Sequence, residues 1–189
     1  GSHRYVIDYL AQEVIRQQDE ETRRFLARTA VLDRLNAALC NALTGREDGQ
    51  ARLQQLEQAN LFLVPLDGAR RWYRYHHLFA DYMRAGLDKV ERAALAQKAS
   101  AWHEANGLIF EAVRYALSSG DPEFAAEAIG RSVQKEATWS AGQVATLVGW
   151  LDALPASAFE TRPLPGLHAS RILYLAGHVT TVNLIGNGA

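Results

Sequence analysis

The chain has 189 residues, 48% of them hydrophobic and 22% charged, with a formal net charge of −1. That length supports one or two domains with a real core, and that composition excludes a disordered chain. Near-zero charge argues against a protein that coats nucleic acid, and a single cysteine excludes a disulfide framework or a thiolate metal cluster.

Gly1-Ser2-His3 reads as the remnant of a cleaved affinity tag. Val6, Ile7, Leu10, Val14 and Ile15 lay a helical stripe along Tyr5–Gln17. Asp19–Thr29 is a second helix, capped by Asp19, with Glu20 and Glu21 at its positive end and Phe25 and Leu26 facing inward. Asn36 is the N-cap of a short helix, Ala37–Leu43, which Gly45 ends. Cys40 sits there among Ala38, Leu39 and Leu43, the setting of a buried thiol in a reducing compartment. Asp48 caps a fourth helix, Gly49–Ala59, with Leu53 and Leu56 buried and Asn60 as its stop.

The pattern then changes. Leu61 to Leu66 is a short apolar run, Asp67-Gly68 is a turn signal, and Trp72-Tyr73-Arg74-Tyr75 is a second candidate strand. Pro65 confines the first strand to an edge. His77–Gly86 returns to helix, with Leu78, Phe79, Tyr82 and Met83 at core spacing. A hairpin after three or four helices is the pattern of a winged helix. From Val90 the chain is helix after helix. Glu91–Ala105 ends at Asn106-Gly107, and Phe110–Ser118 ends at Gly120. Asp121 then caps a helix opened by Pro122 and running to about Val133. Gln143–Leu154 is stopped by Pro155, and Leu167–Ala176 is the last helix. Gly turns and small contact residues (Ala99, Ala112, Ala116, Ala125) point to stacked antiparallel hairpins. No apolar run approaches the roughly 18 residues of a membrane helix.

Several segments together resemble one family. They are Tyr5-Val6-Ile7-Asp8-Tyr9-Leu10, Phe25-Leu26-Ala27-Arg28-Thr29-Ala30-Val31-Leu32-Asp33-Arg34-Leu35, Leu56-Glu57-Gln58-Ala59-Asn60-Leu61-Phe62-Leu63-Val64-Pro65-Leu66-Asp67 and Trp72-Tyr73-Arg74-Tyr75-His76-His77-Leu78-Phe79. The helical half adds Trp102-His103-Glu104-Ala105-Asn106-Gly107, Glu111-Ala112-Val113-Arg114-Tyr115-Ala116 and Trp150-Leu151-Asp152-Ala153-Leu154-Pro155. Over residues 4–178 the chain resembles the middle of the large ATP-binding LuxR-type transcription regulators, the MalT-like group of the STAND class. The resemblance implies a P-loop ATPase domain, a winged helix, a tetratricopeptide-like sensor array and a C-terminal helix-turn-helix, of which this chain resembles the winged helix and the start of the array. No G-x-x-x-x-G-K-[ST] occurs in the chain, so it cannot cradle ATP phosphates by itself. ATP or ADP is the cofactor the resemblance implies for the longer parent, with none expected in this piece.

His76 is the sharpest candidate residue. The resemblance implies a histidine after the second wing strand that reaches the β-phosphate of ADP, a role an imidazole N–H near a helix N-terminus can fill. The competing reading is local packing. Adjacent His77 points elsewhere, so the two do not converge on a metal, and no metal site is expected. Arg70, Arg71 and Arg74 are either a basic wing that contacts DNA phosphate or contacts to another domain of the parent. The candidate recognition helices are poor in cations, which favours the latter. Trp102, Trp139 and Trp150 read as hairpin core, and nothing in the sequence resembles a catalytic constellation.

The expected architecture is therefore mainly α, a winged helix with one β-hairpin over residues 4–88, followed by TPR-like antiparallel hairpins over 89–178. Residues 1–3 are the tag remnant and 179–189 an irregular or non-native tail, the ends being those expected of a piece of a longer regulator. The expected role is non-enzymatic and cytoplasmic. It is to couple nucleotide state and an inducer to DNA binding by a separate C-terminal helix-turn-helix, with self-association among the expected partners. The competing readings are a stand-alone winged-helix repressor with a helical dimerisation arm and a protein-interaction scaffold. DNA binding by this segment with steep salt dependence would favour the repressor.

Overall fold

A computed structural model describes residues 12–135 and 141–155. The tag remnant, most of the Tyr5–Gln17 helix, Trp139, the helix expected over Leu167–Ala176 and the tail over 179–189 lie outside the described residues. Two compact units are resolved by contact, one ending at Trp102 and one beginning at His103. The boundary falls inside a long helix, whereas the expected boundary after residue 88 falls at that helix's start.

In the first unit, residues 12–16 are helical. Helix α1 (Glu20–Thr29) follows, then α2 (Ala37–Thr44) and α3 (Gly49–Gln58). Strands β1 (Leu63–Pro65) and β2 (Tyr73–Tyr75) come next, then α4 (His77–Ala85) and the start of α5 (Lys89–Ala105). The local chemistry explains most boundaries. The Asp19 carboxylate accepts from the Thr22 backbone N–H at 2.7 Å and satisfies one donor at the start of α1. The same helix buries Thr22, Phe25, Leu26 and Thr29, the i, i+3, i+4, i+7 stripe that faces a core. Asn36 caps α2 by accepting from Leu39 N–H at 2.8 Å, and Gly45 ends it in the left-handed conformation at φ 73°.

One expected cap is different. The Asp48 side chain makes no capping bond to α3; it is held by Arg46 at 2.6 Å and Arg52 at 3.3 Å. The first N–H of α3 is satisfied instead by Asn41 of α2, whose Oδ1 accepts from Gly49 at 2.8 Å. A Cβ on Gly49 would lie 2.6 Å from the Ala37 carbonyl oxygen, so the two helices approach this closely only because residue 49 has no side chain.

The two strands are antiparallel, pairing Leu63 with Tyr75, Val64 with Arg74 and Pro65 with Tyr73. On its other side β2 is bridged by Leu35. Leu35 and Tyr73 exchange both backbone hydrogen bonds at 2.8 Å. β2 is thus the inner strand and β1, with Pro65, the edge. The ladder bonds fall at Phe62–His76 and Leu66–Trp72, which sets Pro65 at a position whose N–H would point away from β2. The connection is wider than an Asp-Gly two-residue turn. Arg70, not Gly68, takes the left-handed conformation, at φ 50°, and Asp67 accepts from the N–H groups of Arg70 and Arg71.

The hairpin is anchored from inside. Tyr73 and Tyr75 are buried while Arg74 between them is exposed. The Tyr75 hydroxyl meets Thr29 Oγ1 at 2.9 Å, and Phe79 of α4 packs on Phe62 and Tyr75 with centroids 4.9 and 5.6 Å apart. Cys40 is fully buried in this core, and burial pushes its thiol pKa up to about 12.

The second unit holds the end of α5, then α6 (Ile109–Ser118), α7 (Pro122–Lys135) and α8 (Ala141–Asp152). Gly107 and Gly120 take left-handed conformations at φ 74° and 72° where α5 and α6 end. Asp121 caps α7 by accepting from Phe124 N–H at 3.1 Å. Ala116 and Ala125 are buried in the cluster of Val113, Ile129 and Leu147, and Ala112 is also buried. The mainly α fold with one β-hairpin is what the described residues show.

Candidate functional site

His76 ends the hairpin. Its backbone N–H closes the ladder on Phe62 O at 2.8 Å and its carbonyl starts α4, accepting from Ala80 at 3.0 Å. Phe62, its partner across the ladder, is held at φ 57°, an unusual conformation for a bulky residue. The backbone of His76 is therefore fixed, while its side chain is exposed and makes no capping bond to α4. The ring stacks on that of His77, with centroids 4.6 Å apart. No group of three metal-ligating side chains occurs among the described residues.

The three arginines of the hairpin differ in their surroundings. Arg70 turns back to α3 and pairs with Glu57 at 2.9 Å. Arg71, at the end of the connection, is exposed. Arg74 stands on the outer side of β2, opposite Val64, which is itself 44% exposed. Of the three, Arg70 is engaged in a surface ion pair, its side chain still 60% exposed.

α2 and α3 form the helix-turn-helix pair, so α3 is the helix that would enter a major groove. Arg52 is the only cation in its sequence. Its side chain is 15% exposed and donates to Glu21 at 2.8 Å, to Asp48 at 3.3 Å and to Thr22 Oγ1 at 3.3 Å. Arg46, in the α2–α3 turn, bridges Asp48 and Glu21. The result is a closed cluster of two cations and two anions joining the turn to α1. Hydrogen bonds from Arg46 hold the Asp48 carboxyl well below the usual carboxylate range, and those from Arg52 lower that of Glu21. The outer face of α3 is left with Gln50, Gln54, Gln55 and Gln58, all exposed and uncharged.

Residues 11–95 match the family model of the MalT winged helix domain. The chain carries a MalT-type winged helix. The match begins before α1 and ends inside α5, so it takes in the helix-turn-helix pair, the hairpin, His76 and α4. The HTH-type transcriptional regulator MalT of Vibrio cholerae serotype O1 is 37% identical over 134 residues, 69% of this chain and 15% of that protein. The chain thus spans about one seventh of the length of the curated relative it matches, and over that stretch it is MalT-like. Within the MalT-type winged helix, the sequence reading missed the Arg46–Arg52–Glu21–Asp48 cluster and the bridge from Leu35 to Tyr73. Arg46–Asp48 and Asp48–Arg52 are close in the chain, the latter at i, i+4, but the link to Glu21 and the Leu35–Tyr73 bridge join distant residues that no local pattern signals.

Proposed function

We propose that this chain is the coupling segment of a MalT-like transcriptional regulator, in which the winged helix relays nucleotide state instead of reading DNA. In this reading a separate ATPase domain of the parent holds ATP or ADP and a C-terminal helix-turn-helix binds DNA. The helical hairpins after residue 89 begin a TPR-like, inducer-sensing and self-associating array, in the cytoplasm. His76 is the sensor: its backbone is pinned between the ladder and α4, its imidazole is exposed at a helix N-terminus, and a diphosphate is the ligand that arrangement suits. The observation that carries the reading is the state of Arg52. The one cation of the recognition helix is bound inward by Glu21 and Asp48, which leaves α3 without a charge to offer phosphate.

In the full-length parent, His76→Ala is expected to speed ADP release and raise activity without inducer. Unchanged ADP retention and unchanged inducer dependence would show that His76 is no sensor. For the chain alone, titration with duplex DNA should show no binding with a steep salt slope; a steep slope would instead favour the repressor reading.

A further inference from the structure

The bridge between Leu35 and Tyr73 has a consequence for the exposed side of the sheet. The two residues exchange both backbone bonds and both side chains are fully buried. The bridge is a single antiparallel one, so Arg34, just before Leu35, and Arg74, just after Tyr73, flank it at the same end. Each neighbours a buried residue, Leu35 or Tyr73, and both arginines are themselves exposed. Among the described residues neither guanidinium meets a carboxylate. Like charges held near each other repel. Elsewhere in the same unit Arg28 is paired with Glu91, Arg46 with Asp48, Arg52 with Glu21, Arg70 with Glu57 and Arg84 with Asp81.

His76 lies two residues beyond Arg74, on the same alternation, where α4 begins without a side-chain cap. Two guanidiniums, an imidazole and the positive end of a helix therefore share one side of the hairpin. Val64, on the far side of Arg74, gives that face an apolar border.

We propose that Arg34 and Arg74 form a phosphate-binding pair on this face, contiguous with His76, that takes the diphosphate of a nucleotide. The identity of the ligand rests on the sensor reading of His76; the pairing of the arginines does not. Arg34 belongs to this site although it precedes the hairpin by a helix-turn-helix, because the bridge at Leu35 brings it there. A phosphate gripped by two guanidiniums accepts charge-assisted, bidentate hydrogen bonds, and the repulsion between the cations is relieved by the anion.

The test uses the 189-residue chain titrated with inorganic pyrophosphate and with ADP, read by the rise in melting temperature and by NMR shifts of the arginine side-chain N–H groups. Saturable binding is expected, with Arg34→Gln and Arg74→Gln each weakening it by about three- to tenfold. Neither variant should melt below the parent without ligand, because each removes a like-charge contact. Absence of binding, or binding by both variants as tight as by the parent chain, overturns the proposal. A short duplex DNA binding more tightly than pyrophosphate, with loss in the same variants, overturns it in favour of nucleic acid. Loss of pyrophosphate binding in the arginine variants with none in His76→Ala supports the pair and removes His76 from the site.

Discussion

At the α2–α3 turn, Arg46 and Arg52 are enclosed by Glu21 and Asp48, whereas on the outer side of the hairpin Arg34 and Arg74 meet no carboxylate among the described residues. Both regions belong to the same MalT-type winged helix and each carries two arginines. At the turn the charge is consumed in holding α1 to the helix-turn-helix. At the hairpin it is left available. A count of basic residues would rate the two alike; what separates them is where the acids are, and that decides which surface can hold an anion.

The comparison can be broken by loosening either side. The largest effect is expected at the hairpin's support. Phe79 is fully buried against Phe62 and Tyr75, and Phe79→Ala should cost about 3–5 kcal/mol in a urea melt. A loss under about 1 kcal/mol would mean that the hairpin is not anchored through α4. Next comes the close approach of α2 and α3. In Gly49→Ala the new Cβ meets the Ala37 carbonyl, a backbone atom that cannot swing aside, and a loss of about 1–3 kcal/mol is expected. Gly68→Ala, with open space around it and no left-handed backbone, is the control and should be nearly neutral.

The smallest effect is electrostatic and is best seen against pH. Asp48 and Glu21 titrate below their ordinary range when folded, so their contribution is complete above about pH 4 and fades as the pH falls below it. Arg52→Gln should lower the melting temperature by roughly 2–4 °C at pH 7, because these pairs are partly open to water. The gap between variant and parent should narrow at pH 3. A gap independent of pH would show that Arg52 acts through packing of its stem and not through its charge.

Much of this architecture was legible because short-range chemistry fixes it. Asp19, Asn36 and Asp121 cap as their positions demand, Pro65 marks the edge strand, and the buried stripe of α1 follows from its spacing. Where the reading failed, a different partner took the group that the local pattern had assigned. Asp48 stands at a cap position, yet two arginines offer its carboxylate stronger bonds than a backbone N–H, and Asn41 takes over the capping from another helix. Asp67-Gly68 looks like a tight turn, but the ladder continues to Leu66–Trp72 and the reversal is completed at Arg70. Arg34 gave no signal as a site residue, since a single bridge brings it to the hairpin.

Pro65 has a bearing on how this molecule behaves in a crowd. Alternate residues of an edge strand aim their amides outward, and on β1 those are Leu63 and Pro65. Proline has no amide hydrogen, so a foreign strand arriving at this edge finds one donor where it needs two. With Val64 and Leu66 exposed at 44% and 40%, the edge is greasy enough to recruit such a strand. The missing hydrogen makes this edge a poorer template for a growing fibril.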